Sequence, residues 1–165
     1  MYSAWIKAID LELWAPQLEA RGLFPGMVRQ LIKATTVNQE LLRFPASEGI
    51  QRPGWDGELK VETGNAWVPT GHSVWELSTS ESPETRANEN YDKRTKATPA
   101  AEASSQVFVF ATPRKWINKK AWESVKNSEG KWRGVKVLDS DDFEHWFEDA
   151  PAVDTWASRL CQPCR

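Results

Sequence analysis

Two acidic residues stand where a chain could bring carboxylates together. Asp56 follows the turn Pro53-Gly54-Trp55 and opens an alternating segment, DGELKVET, residues 56–63. Glu76 lies inside a second alternating segment, SVWELST, residues 73–79. On neighbouring strands, two carboxylates on one face can converge on a divalent cation. Mg²⁺ takes one or two carboxylates and keeps several waters, and a metal held that way activates water and stabilises a phosphoryl transition state. Glu48, just before the first segment, offers a third acid. Each has a plainer alternative. Asp56 can be turn chemistry, bonding its own backbone ahead of Gly57. Glu48 can be a surface loop residue. Glu76, between Trp75 and Leu77, needs a partner if it is buried, and that partner is either a metal or a cation from Lys93 or Arg94.

Other reactive types are scarce. There is no GxSxG, and His72 and His145 are the only histidines, so nucleophilic hydrolysis has little to work with. Both histidines read as surface or packing residues. No GxxxxGK[ST] loop is present, so the chain is not itself an NTPase, and no GxGxxG or HExxH occurs. Cys161 and Cys164 form a CxxC that reads either as a tail or as half of a zinc site completed elsewhere. Arg114, Lys115 and Trp116, with Lys119 and Lys120, make a basic-aromatic segment. It reads as a clamp on a DNA backbone or as a solvated helix with Trp116 turned into the core. Lys93 and Arg94 divide in the same way between phosphate contacts and a solvated face.

The elements that would position these residues follow from periodicity. Two helical pieces are expected at residues 2–9 and 10–21, with Pro16 starting a new turn and Gly22 closing the segment. A helix over 25–34 buries Phe24, Met27, Val28, Leu31 and Ile32 at helical spacing. Residues 41–45 are a short strand. In 56–63, Leu59 and Val61 share one face; in 73–79, Trp75 and Leu77 share one face and Val74, Glu76 and Ser78 the other. Residues 83–95 permit a helix with Ala87 and Tyr91 inward, and 95–105 reads as loop. The unbroken run QVFVFAT, 106–112, is a central strand buried on both faces. A helix over 115–125, a strand over 135–138, a helix capped by Asp141 with Phe143, Trp146 and Phe147 inward, and a last helix burying Val153, Trp156, Ala157 and Leu160 complete the order. This is an α/β chain with a mixed sheet of about five strands flanked by helices. It is expected as one domain over residues 1–160 with a disordered tail at 161–165.

Composition bounds the partners. The 165 residues are 40% hydrophobic and 27% charged, the balance of a folded, soluble chain. The net charge of −2 excludes a uniformly basic nucleic-acid coat but leaves room for a local basic face. No apolar run is long enough to span a membrane. Asp10 and Glu12 interrupt the N-terminal stretch where a signal peptide would be apolar, so a cytoplasmic location is expected. Ten tryptophans against two tyrosines is the odd feature. Trp75, Trp146 and Trp156 read as core, Trp55 and Trp67 as loop residues leading into the proposed site strands, and Trp116, Trp122 and Trp132 as flanking the basic segment. Trp5 and Trp14 belong to the N-terminal helices, to pack them down or to face a partner.

The layout, with Asp at a strand start and Glu76-Leu77-Ser78 in the next strand, resembles the PD-(D/E)xK restriction-endonuclease-like superfamily. The stretches LFPGMVRQLIKATT, RFPASEGIQRPGWDG, WVPTGHSVWELSTS, YDKRT, VFVFATPRKW and APAVDTWASRL resemble the N-terminal domain of large bacterial NTPase proteins linked to phage defence. The resemblance implies a Mg²⁺- or Mn²⁺-dependent nuclease acting on DNA, with Asp56, Glu76 and Glu48 at the metal and Lys93 assisting. Arg94, Arg114, Lys115 and Lys119 would contact DNA, and an NTPase domain would follow in a longer chain. Ser78 departs from the pattern, because the motif ends in Lys, and Lys93 in YDKRT is the candidate replacement. The alternative is a module on the same fold with a decayed site, which binds nucleic acid or a protein partner. The negative net charge disfavours tight autonomous DNA binding, a tension that an assembly of several copies would resolve.

Overall fold

The computed structural model describes residues 2–44 and 54–161. Its elements, in chain order, are α1 (Ala8–Trp14), α2 (Leu18–Thr35), β1 (Gln39–Arg43), β2 (Gly57–Val61), β3 (Gly71–Leu77), α3 (Pro83–Ala97), α4 (Ala100–Ala103), β4 (Val107–Ala111), α5 (Lys119–Ser128), β5 (Gly134–Leu138), α6 (Ser140–Glu148) and α7 (Pro151–Cys161). The expected class holds: a five-stranded mixed sheet flanked by helices. The strands lie side by side in chain order. β1, β2 and β3 form an antiparallel meander, and β3, β4 and β5 run parallel. Parallel neighbours need a crossover, and α3–α4 and α5 supply the two.

The alternation in the strands decides which layer each helix joins. Leu59, Val61, Trp75 and Val109 face a core built with Trp14 of α1, the α2 stripe, and Phe143 and Trp146 of α6. Val74, Phe108, Phe110, Val135 and Val137 face a second core built with Ala87, Tyr91, Trp116, Trp122 and Trp132. β4 is apolar on both sides because it lies between two cores. Gly57 is required by close approach: a Cβ there would lie 2.2 Å from Phe44, whose ring packs edge-on to Trp75 at 5.5 Å.

Several expected boundaries move, each for a visible reason. Gly22 does not end a helix; α2 runs through both Gly22 and Pro25. Pro25 removes one backbone donor, but Ala20, Phe24, Met27, Val28, Leu31 and Ile32 bury a continuous stripe across it. Burial of each large side chain is worth about 2 kcal/mol. The loop expected at 95–105 contains the end of α3 and the short α4. α5 starts at Lys119 rather than at residue 115. Trp116 turns into the core with its N–H on Asp139 Oδ2 at 3.0 Å, and the Lys115 N–H goes to Glu12, so those donors already have partners outside the helix. The cap of α6 is Asp139, not Asp141. Its carboxylate accepts from the backbone of Asp141 and Asp142, while Asp142 accepts from the Asp139 N–H at 3.0 Å. Trp156 is 41% exposed rather than core, because α7 buries the face carrying Val153, Asp154, Ala157 and Cys161.

Cys161 is the buried last residue of α7, not part of a tail, and burial followed by the nearby Asp10 charge pushes its thiol up to about 12. Such a thiol stays protonated and unreactive. Cys164 lies outside the described residues. No helix among the described residues is long and apolar enough to cross a membrane.

Two side-chain devices tie the layers. Buried Asp154 of α7 accepts from the backbone N–H of Trp5 at 2.7 Å and of Ile6 at 3.0 Å, and from the Tyr2 hydroxyl, fastening the N-terminal segment. On the outer edge of the sheet, α5 reaches β5. Asn127 exchanges two hydrogen bonds with Val135, at 2.8 and 2.9 Å, and Glu123 accepts from the Val137 N–H at 2.5 Å.

Candidate functional site

The β2–β3 register pairs Gly57 with Trp75 and Glu58 with Val74. Continuing it by one residue sets Asp56 opposite Glu76, on the same face of the sheet. Glu76 is buried at 4% exposure, near the C-terminal end of β3. Asp56 is half-buried, and one of its oxygens accepts from the Leu77 N–H at 2.9 Å. The turn residue therefore caps the neighbouring strand and is more than local turn chemistry. Glu76 has the Asp56 carboxyl as its acidic neighbour, near enough to bear on its protonation.

Arg94 of α3 closes the constellation. Its Nε donates to Glu76 Oε1 at 2.5 Å and its Nη2 to the Gly54 carbonyl, and its guanidinium lies 4.9 Å over the Trp55 ring. Trp55 is itself held edge-on by Phe108 at 5.9 Å and by Trp132 at 5.7 Å. The second core thus orients Trp55, Trp55 supports Arg94, and Arg94 faces Glu76. Trp55 in this supporting role is the residue that strand-and-motif reading misses; its place beside Asp56 in PGWDG is the only signal.

Burial, then the neighbouring Asp56 charge and hydrogen bond, push Glu76 up to about 8, against the opposing pull of Arg94. An ion pair with Arg94 and a raised Glu76 are compatible if the Asp56–Glu76 pair holds one shared proton. The pair then carries a single negative charge that Arg94 balances, so little net charge is buried.

The other expected site residues fall in different places. Lys93 is exposed on α3, and Arg94, one residue on, is the cation that reaches Glu76. Glu48 lies outside the described residues. Ser78, in the motif's lysine position, uses its hydroxyl to accept from the Ser80 N–H at 3.1 Å. Of the four expected DNA contacts, Arg94 is occupied as above. Lys119 is fixed between Asp139 and Asp142, at 2.6 Å from each. Burial alone would lower Lys119, but those two carboxylates outweigh it and hold its ammonium above the ordinary range. Lys115 is exposed, 3.8 Å from Asp141. Arg114 is half-buried, with Nε on the Thr79 carbonyl at 3.0 Å. Trp116, Trp122 and Trp132 are core, so the basic-aromatic segment is not a stacking surface.

Lys119→Met is expected to destabilise the fold by about 3 kcal/mol at neutral pH, because it leaves two carboxylates at the α6 cap without their cation. Urea unfolding checks this, and an unchanged midpoint would show the triad to be idle.

The histidines have local partners: His72 Nε2 meets Glu58 at 2.7 Å across the strands, and His145 Nδ1 meets the Asp141 carbonyl at 2.7 Å. Ligand atoms of Glu144, His145 and Glu148 lie within 4.8 Å of one another on the surface of α6, and Glu144 also accepts from the Ala8 N–H at 2.7 Å. Among the described residues, the Asp56–Glu76 pair joins a buried carboxyl with raised proton affinity to a second carboxyl and a balancing cation, Arg94. Their oxygen donors are of the hard type that Mg²⁺ and Mn²⁺ select. No protein-family model, no curated protein and no solved structure matches the chain.

Proposed function

We propose that the chain is a nuclease-like domain acting on phosphodiesters, with Asp56 and Glu76 as the ligands of a divalent cation. The observation that supports this reading most is the register that sets Asp56 opposite the buried Glu76 on one face of the sheet. A buried Glu that must share a proton with its neighbour is costly to keep, and a hard cation in place of that proton removes the cost. Mg²⁺ or Mn²⁺ bound there supplies positive charge to the phosphodiester oxygens and lowers the pKa of a water. The chain's own residues set the rest. The Leu77 N–H holds the Asp56 carboxylate in place. Arg94 keeps positive charge beside Glu76, so a deprotonated pair with a dication and Arg94 sums to one positive charge, suited to an anionic ester. Ser78 brings no charge, and Lys93 adjoins Arg94 on α3.

A second reading is a catalytically decayed module on the same fold. It is favoured by Arg94, which is engaged with Glu76, Gly54 and Trp55 rather than open to a phosphate.

Titration with Mn²⁺ by calorimetry, together with incubation of plasmid and single-stranded DNA with Mg²⁺ or Mn²⁺, tests both. Cleavage that disappears in Glu76→Ala supports the nuclease. Cleavage that survives Glu76→Ala overturns the site. Mn²⁺ binding without cleavage selects the decayed module.

A further inference from the structure

Arg114 has a neighbour that the sequence does not announce. A groove of about 400 Å³ lies between the α1–α2 turn and the segment after β3, lined among others by Pro16, Leu18, Arg21, Ser80, Glu81 and Arg114. Its walls differ in character. Pro16 and Leu18 make one wall apolar, and Leu18 is 91% exposed, although nothing in the described fold covers it. Arg21, one turn on from Leu18 in α2, adds a cation to that side, and Thr79, Ser80 and Arg114 make the facing side polar. Among the described residues, no carboxylate lies within ion-pair distance of Arg21 or Arg114, although Glu81 shares the groove. Arg114 donates its Nε to the Thr79 carbonyl. That bond fixes the guanidinium at the groove and leaves its terminal nitrogens for another acceptor.

Position adds to this. Thr79 and Ser80 directly follow β3, and Arg114 follows β4, so the groove sits at the carboxyl ends of two parallel strands. Ligands of open α/β sheets bind outside those ends. Thr79 is three residues beyond Glu76, about 10 Å along an extended chain.

We propose that this groove binds a phosphodiester of a nucleic-acid strand, with Arg21 and Arg114 on phosphate oxygens and the Pro16–Leu18 wall against sugar or base. The proposal rests on the nuclease-like reading and names the surface by which that site holds its substrate. Two guanidiniums free of ion pairs beside an apolar lip match the two halves of a nucleotide. Arg rather than Lys suits bidentate contact with phosphate.

The test is fluorescence polarisation of a short labelled oligodeoxynucleotide with EDTA present, comparing wild type, Arg21→Glu and Arg114→Gln, with a nucleoside monophosphate as competitor. Arg21 is exposed and without a partner, so its replacement leaves the fold intact. Arg21→Glu is expected to weaken binding about tenfold at low salt and to reduce the salt slope by about one. Equal binding by wild type and Arg21→Glu overturns the proposal. A nucleoside monophosphate that competes as well as unlabelled oligonucleotide overturns the strand and leaves a mononucleotide site. Mn²⁺ titration of the same proteins in EDTA-free buffer separates the two ideas: intact Mn²⁺ binding with DNA binding unaltered in Arg21→Glu rejects the groove alone, and no Mn²⁺ binding in wild type rejects the metal site alone.

Discussion

Glu76→Gln is expected to abolish divalent-cation binding and, at the same time, to make the fold more stable at pH 8 and above. The two outcomes have one cause. Glu76 keeps its proton in the fold up to about pH 8 but releases it near 4.5 when unfolded. Between those values the folded chain holds more protons than the unfolded one. The contribution of this group is therefore complete below pH 4.5 and is lost as pH rises through 8. The amount at stake is on the order of 3–5 kcal/mol. Gln reproduces the protonated side chain: its oxygen accepts from Arg94 and its amide donates to Asp56. It cannot lose a proton, so it escapes the high-pH loss, but it is a neutral and poor metal ligand. Urea unfolding from pH 5 to 9 should show wild type declining and Glu76→Gln level. Mn²⁺ affinity of wild type should rise by up to tenfold per pH unit until about pH 8 and flatten above it. A flat wild-type stability profile with pH-independent Mn²⁺ binding would remove the shared proton from the account.

The largest purely structural effect is expected from Asp154→Ala. One carboxylate serves the N–H groups of Trp5 and Ile6 and the Tyr2 hydroxyl, and both Asp154 and Ile6 are fully buried. Removing it strands the buried Ile6 N–H at about 1–3 kcal/mol and leaves the half-buried Trp5 N–H and Tyr2 hydroxyl without their acceptor. A loss of about 4 kcal/mol is expected by urea unfolding. Asp154→Asn should cost less, because one acceptor oxygen survives. Hydrogen exchange localises the effect: the amides of Trp5 and Ile6 should lose protection before those of β3 and β4. Unchanged protection in Asp154→Ala would show that packing of Ile6 and Trp14 alone holds the segment.

How far the fold was legible depends on the kind of signal. Alternation at Leu59 and Val61, and the unbroken run of β4, place strands directly, because side-chain direction along a strand has a period of two. Asp56 and Glu76 fall opposite each other because a meander of consecutive strands leaves little choice of neighbour. The cation beside Glu76 is one of two that the sequence offers, and choosing Arg94 over Lys93 needs the phase of α3 against the sheet. Tertiary burial overrides the local stop signals at Gly22 and Pro25. Asp139 and Asp141 are equally good caps by type, and what separates them is Lys119, which arrives from another element. Arg21 stands out only once the chain has brought it to Arg114.

The contacts that Asn127 and Glu123 make with β5 have a consequence for growth of the sheet. Their side chains already occupy hydrogen-bonding positions that an incoming strand would need, so extension past β5 is blocked by the protein itself. In the described fold the two edges of the sheet are therefore unlike: β1 is an edge strand by order, while β5 has its outward hydrogen-bonding groups already taken by its own helix.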